Sequence, residues 1–371
     1  MLASYRFAAA AALFAVVPSV FAQTFTDCDP LLTECPPNEA LGTYASFNWT
    51  QEAADAKIWN TTAGKVDFSP DGALFTIPRK GAVGPTIKSN FHIFWGRTSV
   101  VMKAAGGQGV VSSIVMESSD RDEIDWEWIG GNTTHVQTNF FGKADTTTYN
   151  RDQWHPVDNT LNEHNYTVVW TVEKTDFYID DSLIRTLKFD DPKAMSNFSN
   201  KTVGDRYPQT PMVLKIGNWI PMENATGTVE WAGGLPDYSK APFVQVVKSV
   251  EVHDFTAGKL YTYGDKSGSW QSIQVTEGNS TAAEVISTPR GIDGRFNALP
   301  QGVKIGIIVA AISAAAILAL LITFCCIKNR RAGRKEKALA DAEWDRSVNE
   351  LQQYKRMMVA EEEIHPRAGY I

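Results

Sequence analysis

The segment RDEIDWEWIG, residues 121–130, alternates acidic and apolar side chains with a period of two. That period is typical of a β-strand, in which successive side chains point to opposite faces of the sheet. One face of the predicted strand carries Glu123, Asp125 and Glu127. The other face carries Ile124, Trp126 and Trp128. The segment therefore predicts a strand with one face toward an apolar core and a row of three carboxyl groups on the other.

The row of carboxyl groups has a chemical consequence, because like charges at short range repel each other. Such repulsion raises the pKa of a carboxyl group and keeps it protonated near neutral pH. The Cα atoms of Glu123 and Glu127 are expected about 13 Å apart, and both side chains are long enough to lean toward each other above Asp125. A pair of carboxyl groups at such a range is typical of glycosidases, and the spacing leaves both the retaining and the inverting geometry open. A metal-binding or merely solvated acidic strand is the alternative.

Short alternating segments continue on both sides of this strand, from about residue 40 to residue 263, and helical periodicity is nearly absent. They read TSVVMKAA, VVSSIVMES, HVQTNFFGK, NYTVVWTVE, TDFYIDDSLIRTL, PMVLKIGNW and FVQVVKSVEVHDF. Gly, Pro, Asn and Asp separate them, and IDDS at 179–182 predicts a tight hairpin turn. Many short strands at such spacing predict an all-β sandwich.

Two apolar segments predict a secreted protein that is held in a membrane. Arg6 precedes an apolar run from 7 to 17, and a small-residue site ends at Ala22, which is the pattern of a signal peptide. A second apolar run, from 305 to 327, carries no charge and exceeds the roughly 20 residues that a bilayer core requires. Lys and Arg are concentrated just after this run, at 328–337. By the positive-inside rule, the carboxyl end is expected in the cytoplasm and the large amino-terminal part outside.

The cysteines and the glycosylation sequons agree with this topology. Cys28 and Cys35 lie in the outer part, where an oxidising compartment favours a disulfide that closes a small loop. Cys325 and Cys326 lie at the inner end of the span, where palmitoylation and plain apolar contact are both open interpretations. The sequons begin at Asn48, Asn60, Asn132, Asn165, Asn197, Asn200, Asn224 and Asn279. All of them precede the span, so all are expected on the outer side.

These patterns divide the chain into five predicted parts. The signal peptide covers 1–22, the extracellular domain 23–264, a flexible Ser-, Thr- and Gly-rich stalk 265–302, the transmembrane helix 303–327 and the cytoplasmic tail 328–371. The tail has a helix-forming composition, which is typical of a solvated helix.

Composition limits the classes of partner. The formal net charge of -7 predicts no basic surface for a nucleic acid. The six His show no metal-ligand spacing, and the sequence has neither a Gly-rich phosphate loop nor a Ser nucleophile elbow, so no metal and no cofactor is expected. The eleven Trp are many for an enzyme; they are typical of a large core and also of a carbohydrate-binding surface.

The motif DEIDWEW resembles the active-site strand of glycoside hydrolase family 16, a family of concanavalin-like β-jelly rolls with the pattern Glu, apolar, Asp, apolar, Glu. Further segments, over about residues 40–260, resemble in the same order the fungal Crh-type cell-wall transglycosylases. They are GVVSSIVMESSDRDEIDWEWIGGNTTHVQTNFFGK, HPV, RYPQTPMVLKIGNW, GTVEWAGGLPDYSKAPF and VKSVEV. The resemblance assigns the glycoside hydrolase domain to 23–264. This chain differs from those proteins in its predicted anchor. Many of them end in a lipid-anchor signal, whereas 44 residues follow Ile327 here.

The resemblance implies an enzyme that cleaves chitin and passes the new chain end to β-glucan, and so crosslinks two wall polymers at the cell surface. By position, Glu123 matches the nucleophile, Asp125 the auxiliary acid and Glu127 the general acid/base. These roles imply a double displacement, and a protein nucleophile argues against attack by the substrate's own acetamido group. Two alternatives remain: a hydrolytic β-glucanase or chitinase-like enzyme of the same fold, and a non-catalytic wall-binding sensor.

Substrate contacts are predicted from the same alternation. Lys215 and Trp219 share a face with Gly217, where a sugar can approach the backbone and stack on an indole. Gln137 and Asn139 share a face of a strand that is expected next to the catalytic one. The complete set of expected contacts is Glu127, Gln137, Asn139, Arg206, Lys215, Trp219 and Thr228. For Arg206, Lys215 and Thr228 a solvated surface position is an equal alternative.

Overall fold

The computed structural model describes residues 26–195, 202–288, 296–297 and 299–364, with side chains of the last helix described up to 359. The chain forms two compact units, one within 1–288 and the other within 289–371. The predicted signal peptide and the sequon residues Asn197 and Asn200 lie outside the described residues.

The first unit is built almost entirely from strands. They are β1 (Asn38–Glu39), β2 (Tyr44–Asn48), β3 (Trp59–Ala63), β4 (Val66–Ser69), β5 (Gly72–Ile77), β6 (Thr86–Ser89), β7 (Gly96–Lys103), β8 (Val111–Ser118), β9 (Glu123–Ile129), β10 (His135–Phe141), β11 (Gln153–Pro156), β12 (His164–Trp170), β13 (Lys174–Ile179), β14 (Ser182–Lys188), β15 (Met212–Trp219), β16 (Phe243–Asp254), β17 (Leu260–Tyr263) and β18 (Ile273–Thr276). Its helical segments are α1 (Thr226–Trp231), α2 (Thr281–Ser287) and short 3-10 turns at Pro192–Ala194, Tyr238–Lys240 and Trp270–Ser272.

Two large antiparallel sheets and one small sheet organise these strands. The first large sheet, called the cleft sheet below, has the order β11-β10-β9-β8-β15-β6-β3. The second, called the back sheet, has the order β14-β13-β12-β7-β16-β5-β4, and β2 also pairs with β16. The small sheet has the order β1-β17-β18. This is the jelly-roll β-sandwich that the sequence predicts, and the acidic strand β9 lies near the middle of the cleft sheet.

The core between the two large sheets explains the alternation of β9. Ile124, Trp126 and Trp128 are almost completely buried there. The Trp126 ring packs edge-on against Tyr166 of β12 and Phe177 of β13, with centroids 5.4 Å away in both cases. Since aromatic side chains each bury a large apolar area, this cluster strongly favours one register of β9. The register in turn directs the acidic residues away from the core.

The predicted hairpin at 179–182 is confirmed. β13 and β14 pair directly, and the two residues between them, Asp180 and Asp181, both have positive φ, 48° and 65°. A two-residue turn with positive φ at both positions matches the right-handed twist of the strands that it connects. Asp180 also accepts hydrogen bonds from the backbone N–H of Asn165, at 2.8 Å.

The predicted stalk at 265–302 is wrong over its first part, because the chain continues to fold after residue 264. β18 pairs with β17, and Trp270, Ile273, Val285 and Ile286 pack against the main core. Ser280 is fully buried, donates a hydrogen bond to the carbonyl of Leu41 at 2.7 Å, and caps α2. A few well-placed apolar side chains thus attach a polar segment to the domain.

Outer features of the first unit agree with a secreted domain. Cys28 and Cys35 form a disulfide, as expected from their spacing. Among the described sequon residues, Asn48, Asn60, Asn224 and Asn279 are exposed, whereas Asn132 and Asn165 are half-buried.

The second unit is dominated by one helix, α3 (Gln301–Ile364). It contains the whole apolar run from 305 to 327 and continues through the basic segment into the predicted tail. Its length and composition make it a candidate membrane span.

Candidate active site

The three carboxyl groups of β9 lie on the outer face of the cleft sheet, in register with both neighbouring strands. On β10, Gln137 is opposite Glu127 and Asn139 is opposite Asp125. On the other side, Val115 of β8 is opposite Asp125. Because cross-strand partners point to the same face, the carboxyl row becomes the floor of a surface that extends over several strands.

A cleft of about 410 Å³ covers this floor. Its lining residues are Val115, Glu123, Asp125, Glu127, Gln137, Asn139, Phe141, Tyr149, Asp152, Trp219, Thr228 and Trp231. The cleft therefore gathers all three predicted catalytic residues and five of the seven predicted contacts, namely Glu127, Gln137, Asn139, Trp219 and Thr228. A cleft with apolar walls and a few convergent polar groups is the usual form of a small-molecule or polymer site.

Glu127 is held in its protonated form. Burial raises the pKa of its carboxyl group to about 8, and the nearby charge of Glu123 contributes in the same direction. Burial is thus the larger cause, whereas the sequence pointed only to the acidic neighbours. At neutral pH this carboxyl group carries a proton that it can donate.

Asp125 and Glu123 share a hydrogen bond that changes their pKa values in opposite directions. Burial, followed by the charges of Glu123 and Glu127, raises the pKa of Asp125 well above its ordinary value. Burial also raises the pKa of Glu123, but the hydrogen bond from Asp125 and the charge of Lys215 lower it. Protonated Asp125 is therefore the donor and Glu123 the acceptor, which leaves the negative charge of the row on Glu123.

Gln137 and Asn139 form one side of the cleft. The Gln137 side chain donates to the carboxylate of Asp152 at 3.0 Å, and the Asn139 side chain accepts from the backbone N–H of Phe140 at 2.9 Å. These bonds fix the orientations of the two amide groups, of which Gln137 is almost completely buried and Asn139 half-buried at the edge of the cleft.

Trp219 and Trp231 form an aromatic wall on the other side. Their rings are stacked, with centroids 6.0 Å apart and planes 14° from parallel. Trp219 is half-buried, and Thr228 on α1 lies in the same wall. Flat, partly exposed indole faces are suited to stacking on sugar rings.

Lys215 does not line the cleft, although it faces the same side of the sheet. Its side chain is 5% exposed and pairs with Glu117, which is the cross-strand partner of Glu123. Burial raises the pKa of Glu117 to about 7, against the opposing effect of Lys215. The Lys215–Glu117 pair is therefore placed to act on Glu123 through its charge.

Arg206 lies elsewhere than the sequence suggested. Its guanidinium group is 3% exposed, pairs with Asp145 and donates to Thr147 at 2.6 Å. Both partners belong to the loop 142–152, which also supplies Tyr149 and Asp152 to the cleft. Arg206 thus anchors a loop that lines the cleft, and its own side chain does not line the cleft.

Five lining residues were missed by the sequence reasoning. Phe141 and Val115 had a usable signal, since Phe141 follows Gln137 and Asn139 in alternation and Val115 lies in a predicted strand. Tyr149, Asp152 and Trp231 come from a loop and a short helix, where no periodic pattern indicates the direction of a side chain. Within the described residues, no group of three or more His, Cys, Asp or Glu is arranged to hold a metal ion.

Comparison with known proteins gives consistent similarities. The sequence model of glycosyl hydrolases family 16 matches residues 52–233. Crh-like protein 3 of Aspergillus fumigatus is 46% identical over 345 residues, which cover 92% of each chain. Congo red hypersensitive protein 1 of Saccharomyces cerevisiae is 41% identical over 259 residues, 68% of this chain and 48% of that one. A solved structure, Crh5 transglycosylase in complex with NAG, has a TM-score of 0.62 at 47% identity and covers 67% of this chain and 99% of its own.

Proposed function

The chain belongs to glycosyl hydrolase family 16 and, within it, to the Crh-like proteins, and we propose that it cleaves chitin and transfers the new chain end to β-glucan. It is an enzyme of the glycosidase and transglycosylase class. The chemistry follows from the cleft, and the choice of polymers follows from the relatives.

The observation that carries the mechanism is the distribution of protons along β9. Burial raises the pKa of all three carboxyl groups, but only Glu123 has influences that lower its pKa, namely the hydrogen bond from Asp125 and the charge of Lys215, so we assign the carboxylate to Glu123. A retaining glycosidase needs one ionised carboxylate as nucleophile and one protonated carboxyl group as acid. The row supplies one of each, with Asp125 between them.

In the first step, Glu123 attacks the anomeric carbon of the donor sugar while Glu127 gives its proton to the glycosidic oxygen. The bond between that carbon and the leaving chain breaks, and an ester bond to Glu123 forms. Asp125 keeps its hydrogen bond to Glu123 and so sets the orientation of the attacking oxygen. Lys215, paired with Glu117, helps to keep Glu123 ionised before the attack.

In the second step, a hydroxyl group of the acceptor attacks the same anomeric carbon. Glu127, now a carboxylate, takes the hydroxyl proton, and the bond to Glu123 breaks. The donor fragment is then linked to the acceptor, and the starting protonation states are restored. Water in the same position gives hydrolysis, so transfer depends on an acceptor that occupies the cleft.

The relatives support the identity of the polymers. NAG, N-acetylglucosamine, is the repeating sugar of chitin, and it is bound in the structure of the Crh5 transglycosylase. Trp219 and Trp231 offer a stacking wall for such rings, and Gln137 and Asn139 offer amide groups for their polar substituents. The β-glucan acceptor rests on the resemblance to the Crh-type transglycosylases.

The proposed location is the cell surface, with the catalytic domain outside and the carboxyl end in the cytoplasm. The uncharged run from 305 to 327 and the basic residues at 328–337 support this orientation through the positive-inside rule. A membrane anchor would keep the enzyme next to the inner surface of the wall, where new polymer chains arrive.

The test is a transfer assay with full-length protein in detergent. Chitin oligomers serve as donor and fluorescently labelled laminarin oligomers as acceptor. We expect labelled products longer than the added acceptor, and we expect none from the matched Glu127→Gln variant. Chitin fragments without labelled products would make the protein a hydrolase, and the absence of both would exclude activity on chitin.

A further inference from the structure

A second pocket of about 390 Å³ lies beside the disulfide loop, on the same side of the cleft sheet. It is called the distal pocket below, and its lining includes Asn38, Asn60, Lys88, Glu117, Lys215 and the Cys28–Cys35 disulfide. Apart from the charge of the Lys215–Glu117 pair, nothing in this lining takes part in the proposed catalytic steps, so the rest of its polar interior needs a separate explanation.

The distal pocket is continuous with the cleft. A groove between them shares Trp219 and Thr228 with the cleft, and it shares Lys88 and Lys215 with the distal pocket. Cross-strand neighbours follow the same path, in the order Asp125, Val115, Lys215, Lys88 and Asn60. Four strand spacings separate the ends of this row, or about 19 Å. A chain of several sugar rings that lies across the strands would therefore extend from the catalytic row into the distal pocket.

The outer wall of the distal pocket is fixed in place. The disulfide closes the loop from 28 to 35, and an ion pair of 2.9 Å joins Asp29 in this loop to Arg121 just before β9. The side chain of Lys266 donates to the carbonyl of Leu32 at 2.7 Å. The wall is thus held from two directions, which favours a preformed pocket over a mobile edge.

Two buried polar atoms of the pocket lining are without a hydrogen-bond partner among the described residues. They are Oε1 of Glu117, on a side chain that is 2% exposed, and Nδ2 of Asn38. The other carboxylate oxygen of Glu117 is engaged by Lys215. Since buried polar groups are nearly always paired, one open acceptor and one open donor indicate a ligand with the complementary groups.

We propose that the distal pocket is a subsite for a 2-acetamido sugar residue of the donor chain. An acetamido group carries one N–H donor and one carbonyl acceptor, which complement Glu117 Oε1 and Asn38 Nδ2. The half-buried Lys88 adds donors for the hydroxyl groups of the ring. The inference rests on the proposed function, since it requires that the donor occupies the cleft as a polymer.

The test measures kcat/KM for transfer from chitin oligomers of increasing length, with full-length protein in detergent. Asn60 begins a sequon at the rim of the pocket, so N-glycans are first trimmed enzymatically in every variant. For the wild type, we expect kcat/KM to rise about tenfold once the donor reaches the distal pocket, which corresponds to 1.4 kcal/mol. Asn38→Leu, which removes the donor atom with little change of volume, should lose most of this rise, and so should Glu117→Gln.

For each variant, kcat/KM for long donors is compared with kcat/KM for short donors. A general loss of activity lowers both values, whereas loss of binding in the distal pocket lowers only the value for long donors. Asn162→Leu, at an exposed position on another loop, is the matched control and should keep the full rise. A de-N-acetylated long donor should behave like a short one. A full rise in Asn38→Leu, or with the de-N-acetylated donor, would overturn the subsite. If no chitin oligomer of any length acts as a donor for the wild type, the proposed function itself fails.

Discussion

At the scale of single residues, Glu123 and Glu127 are the same side chain in two different surroundings. Burial raises the pKa of both, but Glu123 also accepts a hydrogen bond from Asp125 and lies near the charge of Lys215, which both lower its pKa, whereas the charge of Glu123 raises the pKa of Glu127 further. The first environment favours the carboxylate and the second the protonated acid. The proposed roles of Glu123 as nucleophile and Glu127 as acid thus depend on the neighbours of each side chain.

The pH dependence of kcat/KM should report this division. Glu127 must be protonated to act as acid, so activity should fall as pH rises through about 8. In Glu127→Gln, assayed with a donor whose leaving group needs no protonation, that alkaline limb should disappear. Initial rates between pH 4 and pH 10 measure both profiles. An alkaline limb that persists in the variant would assign the proton to another group.

The stability of the domain should also depend on Glu127. Its pKa is about 8 in the folded protein and near 4.5 in the unfolded chain, so the folded state binds more protons between these values. The free energy of unfolding therefore falls as pH rises through this window. At pH 8, Glu127→Gln should be more stable than the wild type, by on the order of 4 kcal/mol at 1.36 kcal/mol for each pKa unit. At pH 4 the two should be similar.

Thermal unfolding at both pH values measures this difference. Glu52→Gln, at an exposed position, is the matched control and should change neither melting temperature. Equal melting temperatures for Glu127→Gln and the wild type at pH 8 would show that burial does not raise the pKa of Glu127.

Single residues also show what sequence reasoning can reach. The three acids were predictable because their alternation with Trp and Ile is local and marks both faces of a strand. Lys215 and Arg206 were not, since their partners Glu117 and Asp145 are distant in sequence and are brought close only by sheet pairing and loop packing. A cation in the sequence does not show whether it faces a substrate or a buried carboxylate.

At the scale of elements, the loop 142–152 is a part of the cleft that side-chain contacts, and not strand pairing, hold in place. It carries Tyr149 and Asp152; Arg206 holds it from outside the loop, and Arg151 holds it from within. The Arg151 guanidinium donates to the carbonyl groups of Asp145 and Thr148 and lies over the Phe141 ring, 4.7 Å from its centroid. The loop depends on these cations because it has little regular structure of its own.

Arg206→Met should loosen this loop while the catalytic row remains in place. We expect KM for the chitin donor to rise about tenfold, with a much smaller change in kcat, because the change removes binding more than chemistry. Steady-state kinetics of transfer measure both constants. Arg97→Met, which removes an exposed ion pair with Glu251 on the back sheet, is the matched control. A fall in kcat with unchanged KM would place Arg206 in the chemistry instead.

Elements differ in how far their sequence determines them. β9 was predictable because its apolar face is continuous and strongly aromatic. β18 was not, since its residues Ile273–Thr276 are half-buried or exposed and belong to a short edge strand of the small sheet. Edge strands of this kind are held by tertiary contacts more than by their own pattern, so a polar segment was mistaken for a stalk.

At the scale of the whole molecule, the proposal joins an extracellular enzyme to a membrane-spanning helix. In sealed microsomes, protease added outside should remove the tail after residue 328 and leave the domain before residue 288 intact. The basic residues at 328–337 are the physical reason, since they favour the cytoplasmic side. Detergent should expose both parts. A tail protected until detergent is added would reverse the orientation.

Apolar length made the candidate span predictable, because it depends on composition over many residues, and the orientation remains a prediction from the charge asymmetry. The proposed substrate path across the sheet was not predictable in the same way. It depends on the register of five strands, and on a disulfide loop that packs beside them.

The measurement that tests the central claim most directly is intact mass spectrometry of variants incubated with an activated chitin-oligomer donor. Glu127→Gln retains the nucleophile, and with a leaving group that needs no protonation it should accumulate one covalently bound sugar fragment. Glu123→Gln should show no adduct, and Asp125→Asn should form one more slowly. A covalent adduct on Glu123→Gln, or none on Glu127→Gln while transfer continues, would contradict the assignment of Glu123 as nucleophile and Glu127 as acid.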